Sequence, residues 1–276
     1  MMRSMFAAIS GLKTHQIMLD VTANDLANVN TVGYKAGRTT FKESLSQLQK
    51  GGVGQSAATG GSNPAQIGLG VQLGSIDSVM TGGALQNTGN PLDVAIQGEG
   101  WFRIAQGAPP AVPTQFEYTR AGNFNRNDQG YLVNQDGYYV IGRNAVGAGG
   151  ADQLIQLPAG ATNAAIGQDG SVSYIPAGGG ARVTAGYISL AKFANEPGLE
   201  RGTGSRWKAN AASGTENVNT PGGTYGLTIG GTIEMSNVDL AQEFTDLITA
   251  QRGFQANSRV ISTADQMLQD MVNLNR

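Results

Sequence analysis

Apolar residues recur along this chain in two rhythms, separated by a stretch with almost none. Met5, Leu12, Leu19 and Leu26 stand seven residues apart, with Ile9 and Ala23 on a second line beside them. A seven-residue recurrence keeps one stripe of an α-helix apolar, so residues 5 to about 30 read as a helix with a coiled-coil-like seam. Ser4 is suited to cap its start. Asn28-Val29-Asn30-Thr31-Val32-Gly33 is suited to end it, because Asn and Gly tolerate left-handed backbone. The other end of the chain repeats the rhythm. Leu240, Leu247, Phe254, Ile261 and Leu268 again stand seven apart, with Phe244 and Val272 on the second line. Ser236-Asn237-Val238-Asp239 reads as a capping arrangement in which Asp239 reaches back from the third helical position. No proline interrupts residues 222–276, and a helix from Asn237 to Leu274 would be about 55 Å long.

The second line turns polar midway in both helices, at Gln16 and Asn30 and at Gln251, Ser258 and Asp265. Ordering more than 60 residues of backbone is costly, and so thin a seam cannot offset it alone. The expectation is therefore that other copies of the chain complete the helices, in preference to an intramolecular hairpin.

Residues 51–76 carry no charge and eight glycines, which predicts an irregular or extended connector without a core of its own. From about Gly74 the period becomes two. Asp93-Val94-Ala95-Ile96 and Trp101-Phe102-Arg103-Ile104 read as strands, and Arg182 to Phe193 as one longer strand. Turn signals stand at Asn127-Asp128-Gln129-Gly130, Asn134-Gln135-Asp136-Gly137 and Gly167-Gln168-Asp169-Gly170. The predicted class is α+β: long helices at residues 1–33 and 235–276 packed together, a Gly-rich connector at 34–75, and a mainly antiparallel β domain at 76–234.

Composition narrows what such a chain can do. Charged residues make up 14% of it, against about 25% in ordinary domains, and the formal net charge is -2. There is no basic excess to neutralise nucleic-acid phosphates, and no apolar run long enough to span a bilayer. No continuous apolar h-region follows the start, so no cleavable signal peptide is expected. Cysteine is absent and His15 is the only histidine, which removes thiolate and multi-histidine metal sites and cysteine nucleophiles. Gly68-Leu69-Gly70-Val71-Gln72-Leu73-Gly74 is one residue off the dinucleotide fingerprint and leads into no helix. Asn125-Arg126-Asn127-Asp128-Gln129-Gly130 lacks the carboxylates of a calcium loop and suits a hairpin turn. No enzyme activity, metal or cofactor is expected.

Leu19-Asp20-Val21-Thr22-Ala23-Asn24-Asp25-Leu26-Ala27-Asn28 closely resembles the ANNLAN motif of bacterial flagellar axial proteins, the rod, hook and hook-associated proteins. Asp25 stands where that motif usually has its second Asn. The resemblance continues through Thr31-Val32-Gly33-Tyr34-Lys35, the segments from Asn90 to Phe102 and from Tyr118 to Phe124, and Glu234 to Leu240. It also covers Ala250-Gln251-Arg252-Gly253-Phe254-Gln255-Ala256-Asn257-Ser258. Within the family, short hook proteins of Gram-positive type look closest, and the distal rod subunit is the alternative. The long connector between Phe41 and Ile67 is similar in length to that of distal rod proteins, a feature that short hook proteins of Gram-positive type share.

The resemblance implies a hook subunit that polymerises with itself into a tube, a universal joint carrying torque from rod to filament. The terminal helices would line an inner, export-channel layer, and the β domain an outer one. Met5, Ile9, Leu12, Leu19, Leu26, Leu240, Phe244, Leu247, Phe254, Ile261 and Leu268 would form the self-assembly seam. Implied partners are the flagellar rod, hook cap and hook-filament junction proteins and the type III export apparatus. Phe41 and Leu45 match the pattern that early export substrates present to the export gate, although an ordinary helical turn reads equally well there. Nucleic acid and membrane insertion are not implied.

Overall fold

The structure, a computed structural model, describes residues 2–52, 54–55, 60–147 and 149–274. The class is α+β, with an N-terminal helix, a mainly antiparallel β domain and a C-terminal helix. The chain divides into two compact units.

The first unit comprises Met1–Ala27, Gly37–Ser78 and Asp239–Arg276. Helix α1 spans Met2–Ala27 and α2 spans Leu240–Leu274. Asp239 itself caps α2, its Oδ1 accepting the N–H groups of Ala241 at 2.9 Å and Gln242 at 3.4 Å. The capping role expected of Ser236 is not observed, because its hydroxyl accepts the Val238 N–H at 3.4 Å, ahead of the helix. A carboxylate on the first free N–H groups complements the positive end of the helix as well as bonding it.

The charge-free connector is more regular than its glycine content predicts. Strands β1 (Gly37–Glu43) and β4 (Val71–Ser78) pair antiparallel, as do β2 (Ser46–Lys50) and β3 (Ala65–Gly68). Hydrogen bonds from Ser44 N–H to Gly70 O, 2.9 Å, and from Leu69 N–H to Leu45 O, 2.7 Å, join the two pairs into one ribbon. Val53 and residues 56–59 of this connector lie outside the described residues. Near its base the ribbon is bonded to α1, where Ser10 Oγ accepts the Val71 N–H at 3.2 Å. Gly70 has φ +123, and a Cβ there would stand 2.3 Å from that hydroxyl. Every residue of β2 and β3 is exposed, Leu48 and Ile67 among them.

The second unit comprises Asn28–Ala36 and Val79–Val238. Strand β5 (Leu85–Asn87) pairs with Thr232–Glu234, and β6 (Val94–Gln97) with Leu227–Gly230. The main sheet is antiparallel and centred on β7 (Trp101–Ala105), which pairs with β8 (Glu117–Thr119), Tyr139–Arg143 and Leu190–Lys192. The period-two alternation seen in the sequence has its physical meaning here. Phe102 and Leu190 enter one core cluster with Phe124, Val140, Ile155 and Ile188. Their neighbours Trp101 and Ala191 enter the other, with Tyr118, Phe193 and Trp207. The three expected turns close through N–H to carbonyl bonds from Gly130 to Asn127, Gly137 to Asn134 and Gly170 to Gly167. The single strand expected from Arg182 to Phe193 is two, Val183–Ile188 and Leu190–Lys192, parted at Ser189, whose N–H bonds Ile141 O at 3.1 Å.

Candidate functional site

Two arrangements concentrate the residues singled out by sequence. One is the helix pair of the first unit. A Cβ at Gly11 would stand 2.8 Å from Asn257 Nδ2, and one at Gly253 would stand 2.5 Å from His15 Nε2. Four residues forward on α1 thus correspond to four residues back on α2, so the helices run antiparallel. The residues at the contact are small or polar. Ala8, Gly11, Thr14, Thr22 and Asp25 are buried on α1, and Ala250 and Ala264 on α2. Gly11 and Gly253 leave room there for the Asn257 and His15 side chains.

The expected seam residues fall into two sets. Met5, Leu12, Leu19 and Leu26 on α1 and Leu247, Phe254, Ile261 and Leu268 on α2 are half-buried. Ile9, Leu240 and Phe244 are exposed, and so is Val272. On α2 the line partnering Leu247 and Phe254 runs through Ala250, Asn257 and Ala264, one residue before the expected Gln251, Ser258 and Asp265. These residues also recur every seven, which is the signal that could have found them.

Large apolar side chains remain uncovered on both helices. Met2, Phe6 and Ile9 form one line on α1, and Leu240, Phe244 and Ile248 form one on α2. Val260, Met267, Met271 and Leu274 form a further line on α2. Spacings of three, four and seven put each set on one helix face. Phe41 and Leu45 are exposed too, with the Phe41 ring edge-on to His15 at 6.2 Å. Of the motif residues, Asp25 is buried, Leu26 and Asn28 are half-buried, and Ala23, Asn24 and Ala27 are exposed.

The second arrangement is a buried ionic junction in the second unit. α1 ends at Ala27, sooner than the spacing suggests, and the chain turns there: Thr31 N–H bonds Asn28 O at 3.1 Å and Thr31 Oγ1 bonds Asn28 Oδ1 at 3.0 Å. Gly33, at φ +67, then passes so close to Ala121 that a Cβ would stand 2.5 Å from its nitrogen. This delivers Lys35 to Glu234. Glu234 Oε1 accepts from Lys35 Nζ at 2.5 Å and from the Gly83 N–H at 3.0 Å, and Oε2 accepts from Arg120 at 3.3 Å. All three charged side chains are at most 3% exposed. Lys35 Nζ also donates to Thr81 O at 2.8 Å. Burial holds the Lys35 ammonium below its ordinary value, with the Glu234 carboxylate pulling the other way. Asn237 ties neighbouring segments together, accepting the Ala36 N–H at 2.8 Å and donating to Val79 O at 2.9 Å. Lys35, Arg120, Trp101 and Glu234 come from four of the segments quoted above for their resemblance, and Arg120 lies over the Trp101 ring at 5.3 Å. Their convergence could not be read from spacing, since 199 residues separate Lys35 from Glu234.

The second unit also carries a polar groove of about 330 Å³, lined among others by Asn30, Thr31, Asn123, Asn134 and Asp136. His15, the only histidine of the sequence, is packed against Gly253.

Family models match three stretches of the chain. "Flagella basal body rod protein" matches residues 5–35, "Flagellar hook protein FlgE/F/G D1 domain" residues 95–174, and "Flagellar basal body rod FlgEFG protein C-terminal" residues 229–274. The flagellar basal-body rod protein FlgG of Bacillus subtilis (strain 168) is 46% identical over all of both chains. The chain belongs to the flagellar rod and hook protein family. The protein of the same printed name from Caulobacter vibrioides is 39% identical over 97% of each chain. The flagellar hook protein FlgE of Borreliella burgdorferi is 26% identical over 447 aligned positions, covering 99% of this chain and all of that one. The rod and hook family supplies structural parts of the flagellum and is not an enzyme family. This member is accordingly a flagellar basal-body or hook component. Among its described residues, no helix is long and apolar enough to cross a membrane.

Proposed function

We propose that this chain is a structural subunit of the distal rod of the flagellar basal body, polymerising with copies of itself into a tube around the export channel. The observation that carries the rod reading is the end-to-end match, at 46% identity, to a relative named as a rod protein. The hook reading expected from the resemblance gives way to it. The match to a hook protein is weaker, and its alignment runs over 447 positions against 276 residues here.

Residues 1–33 and 235–276 would form the inner layer of the tube and 76–234 the outer one, with 34–75 between them. The uncovered lines through Ile9, through Leu240 and Phe244, and through Met267 and Met271, together with exposed Val272, would be the surfaces that meet neighbouring copies. The half-buried set at Met5, Leu12, Leu19, Leu26, Leu247, Phe254, Ile261 and Leu268 would hold the helices together in a coiled-coil-like seam. Exposed apolar lines of this extent suit burial by another helix. Other rod proteins, the hook protein and the type III export apparatus are the remaining partners, with exposed Phe41 and Leu45 offered to the export gate. The chain acts mechanically and has no catalytic role.

The test is complementation in a flagellated bacterium. The chain should restore motility where the distal rod gene is deleted and fail to do so where the hook gene is deleted. Rescue of the hook deletion alone would establish the hook reading instead.

A further inference from the structure

The register of the helix pair brings two carboxylates level. Asp25 lies ten residues beyond His15 on α1, and Glu243 ten residues before Gly253 on α2. Asp25 is 1% exposed, and both of its oxygens face the Gly37 N–H of β1, at 3.1 and 3.0 Å. An Asn, as the resembling motif has here, would offer the same acceptor without a charge. Glu243 stands half-buried in the first turn of α2. Among the described residues, Asp25 from α1 and Asp246 and Asp239 from its own segment set carboxylate charge against it. The helix dipole favours the ionised form of Glu243, but burial and three carboxylates oppose it.

We propose that Asp25 and Glu243 form a proton-dependent clamp on this end of the helix pair, closed while Glu243 holds its proton and loosened when it ionises. Burial, and then the Asp25 carboxylate, push the Glu243 carboxyl up to about 7. A carboxyl held above its unfolded value binds more protons folded than unfolded, so the pair loses stability as pH rises. The loss is absent below the ordinary value of 4.5, grows from there to about 7, and is complete above it. A chain carrying Asn at position 25 would keep the part due to burial and lose the part due to the Asp25 charge.

Two measurements on the purified full-length chain test the clamp. Carboxyl-carbon NMR, assigned with Glu243→Gln, should show Glu243 titrating near neutral pH in the wild type and lower in Asp25→Asn. Amide protection of residues 243–250 should fall by about tenfold or more between pH 5 and 8 in the wild type. It should stay level in Glu243→Gln and fall as in the wild type in Asp270→Asn, a control on the exposed part of α2. A wild-type Glu243 midpoint in the ordinary carboxylate range would overturn the proposal, and would do so even if a variant failed to fold. An undiminished protection loss in both Asp25→Asn and Glu243→Gln would overturn it equally.

Discussion

Glu234 shows how much can depend on one side chain. It neutralises two cations, Lys35 and Arg120, that are nearly inaccessible to water, and it bonds the Gly83 N–H as well. Truncation to Ala would leave both cations buried without a counter-charge, a change that costs about 3–5 kcal/mol when a buried pair is broken. Glu234→Gln keeps acceptor and shape but not the charge and should cost less. Denaturant unfolding followed by Trp101 and Trp207 fluorescence would measure both, and equal stability of Glu234→Ala and wild type would contradict the ionic account. At this scale the sequence was only partly legible. The charged residues stood inside segments marked by family resemblance, yet their meeting joins positions up to 199 residues apart. Arg103 is a similar case. It is 2% exposed between Asp152 and Glu216, with its guanidinium over the Phe116 ring, and nothing in its own neighbourhood announces it as an ionic centre.

Both helices were legible as elements because their seven-residue spacing is written in large apolar residues. The α2 start was displaced from Ser236 to Asp239 because an ionised carboxylate in the cap position satisfies two N–H groups and the dipole together. The contact line was legible only in half. Counting apolar residues selects Phe244 and Val272, whereas the helices meet through Gly, Ala, Thr and Asn, which contribute closeness rather than apolar area. Gly253 is the sharpest test of that closeness. A valine there would meet the His15 ring at under 3 Å, so Gly253→Val should destabilise the helix pair by about 1–3 kcal/mol despite better helix propensity. Shortening the ring with His15→Ala in the same chain should restore most of it. Circular dichroism melts of the two variants decide, and an unaffected Gly253→Val would mean the helices do not pack this closely. The ribbon was the least legible element. Its glycines signal freedom, whereas its regularity comes from the pairing of β1 with β4 and of β2 with β3.

For the whole molecule, the central claim is that the uncovered apolar lines of the helices are assembly surfaces. Phe244, 50% exposed, contributes little to the isolated chain. Phe244→Ser should therefore leave the thermal midpoint within about a degree or two while abolishing tube formation in electron micrographs, since surface changes rarely move stability by more than about 0.5 kcal/mol. Normal tubes from this variant would remove that position from the interface. The most direct measurement is oxidation footprinting of the methionines, because Met267 and Met271 lie on one uncovered line of α2 at 50% and 53% exposure. Dilute chain and assembled tubes would be exposed to the same peroxide dose and the sulfoxide at each position quantified. The account predicts ready oxidation of both residues in the dilute chain and protection by about tenfold or more in the tube. Equal oxidation of Met267 and Met271 in the two states would contradict it.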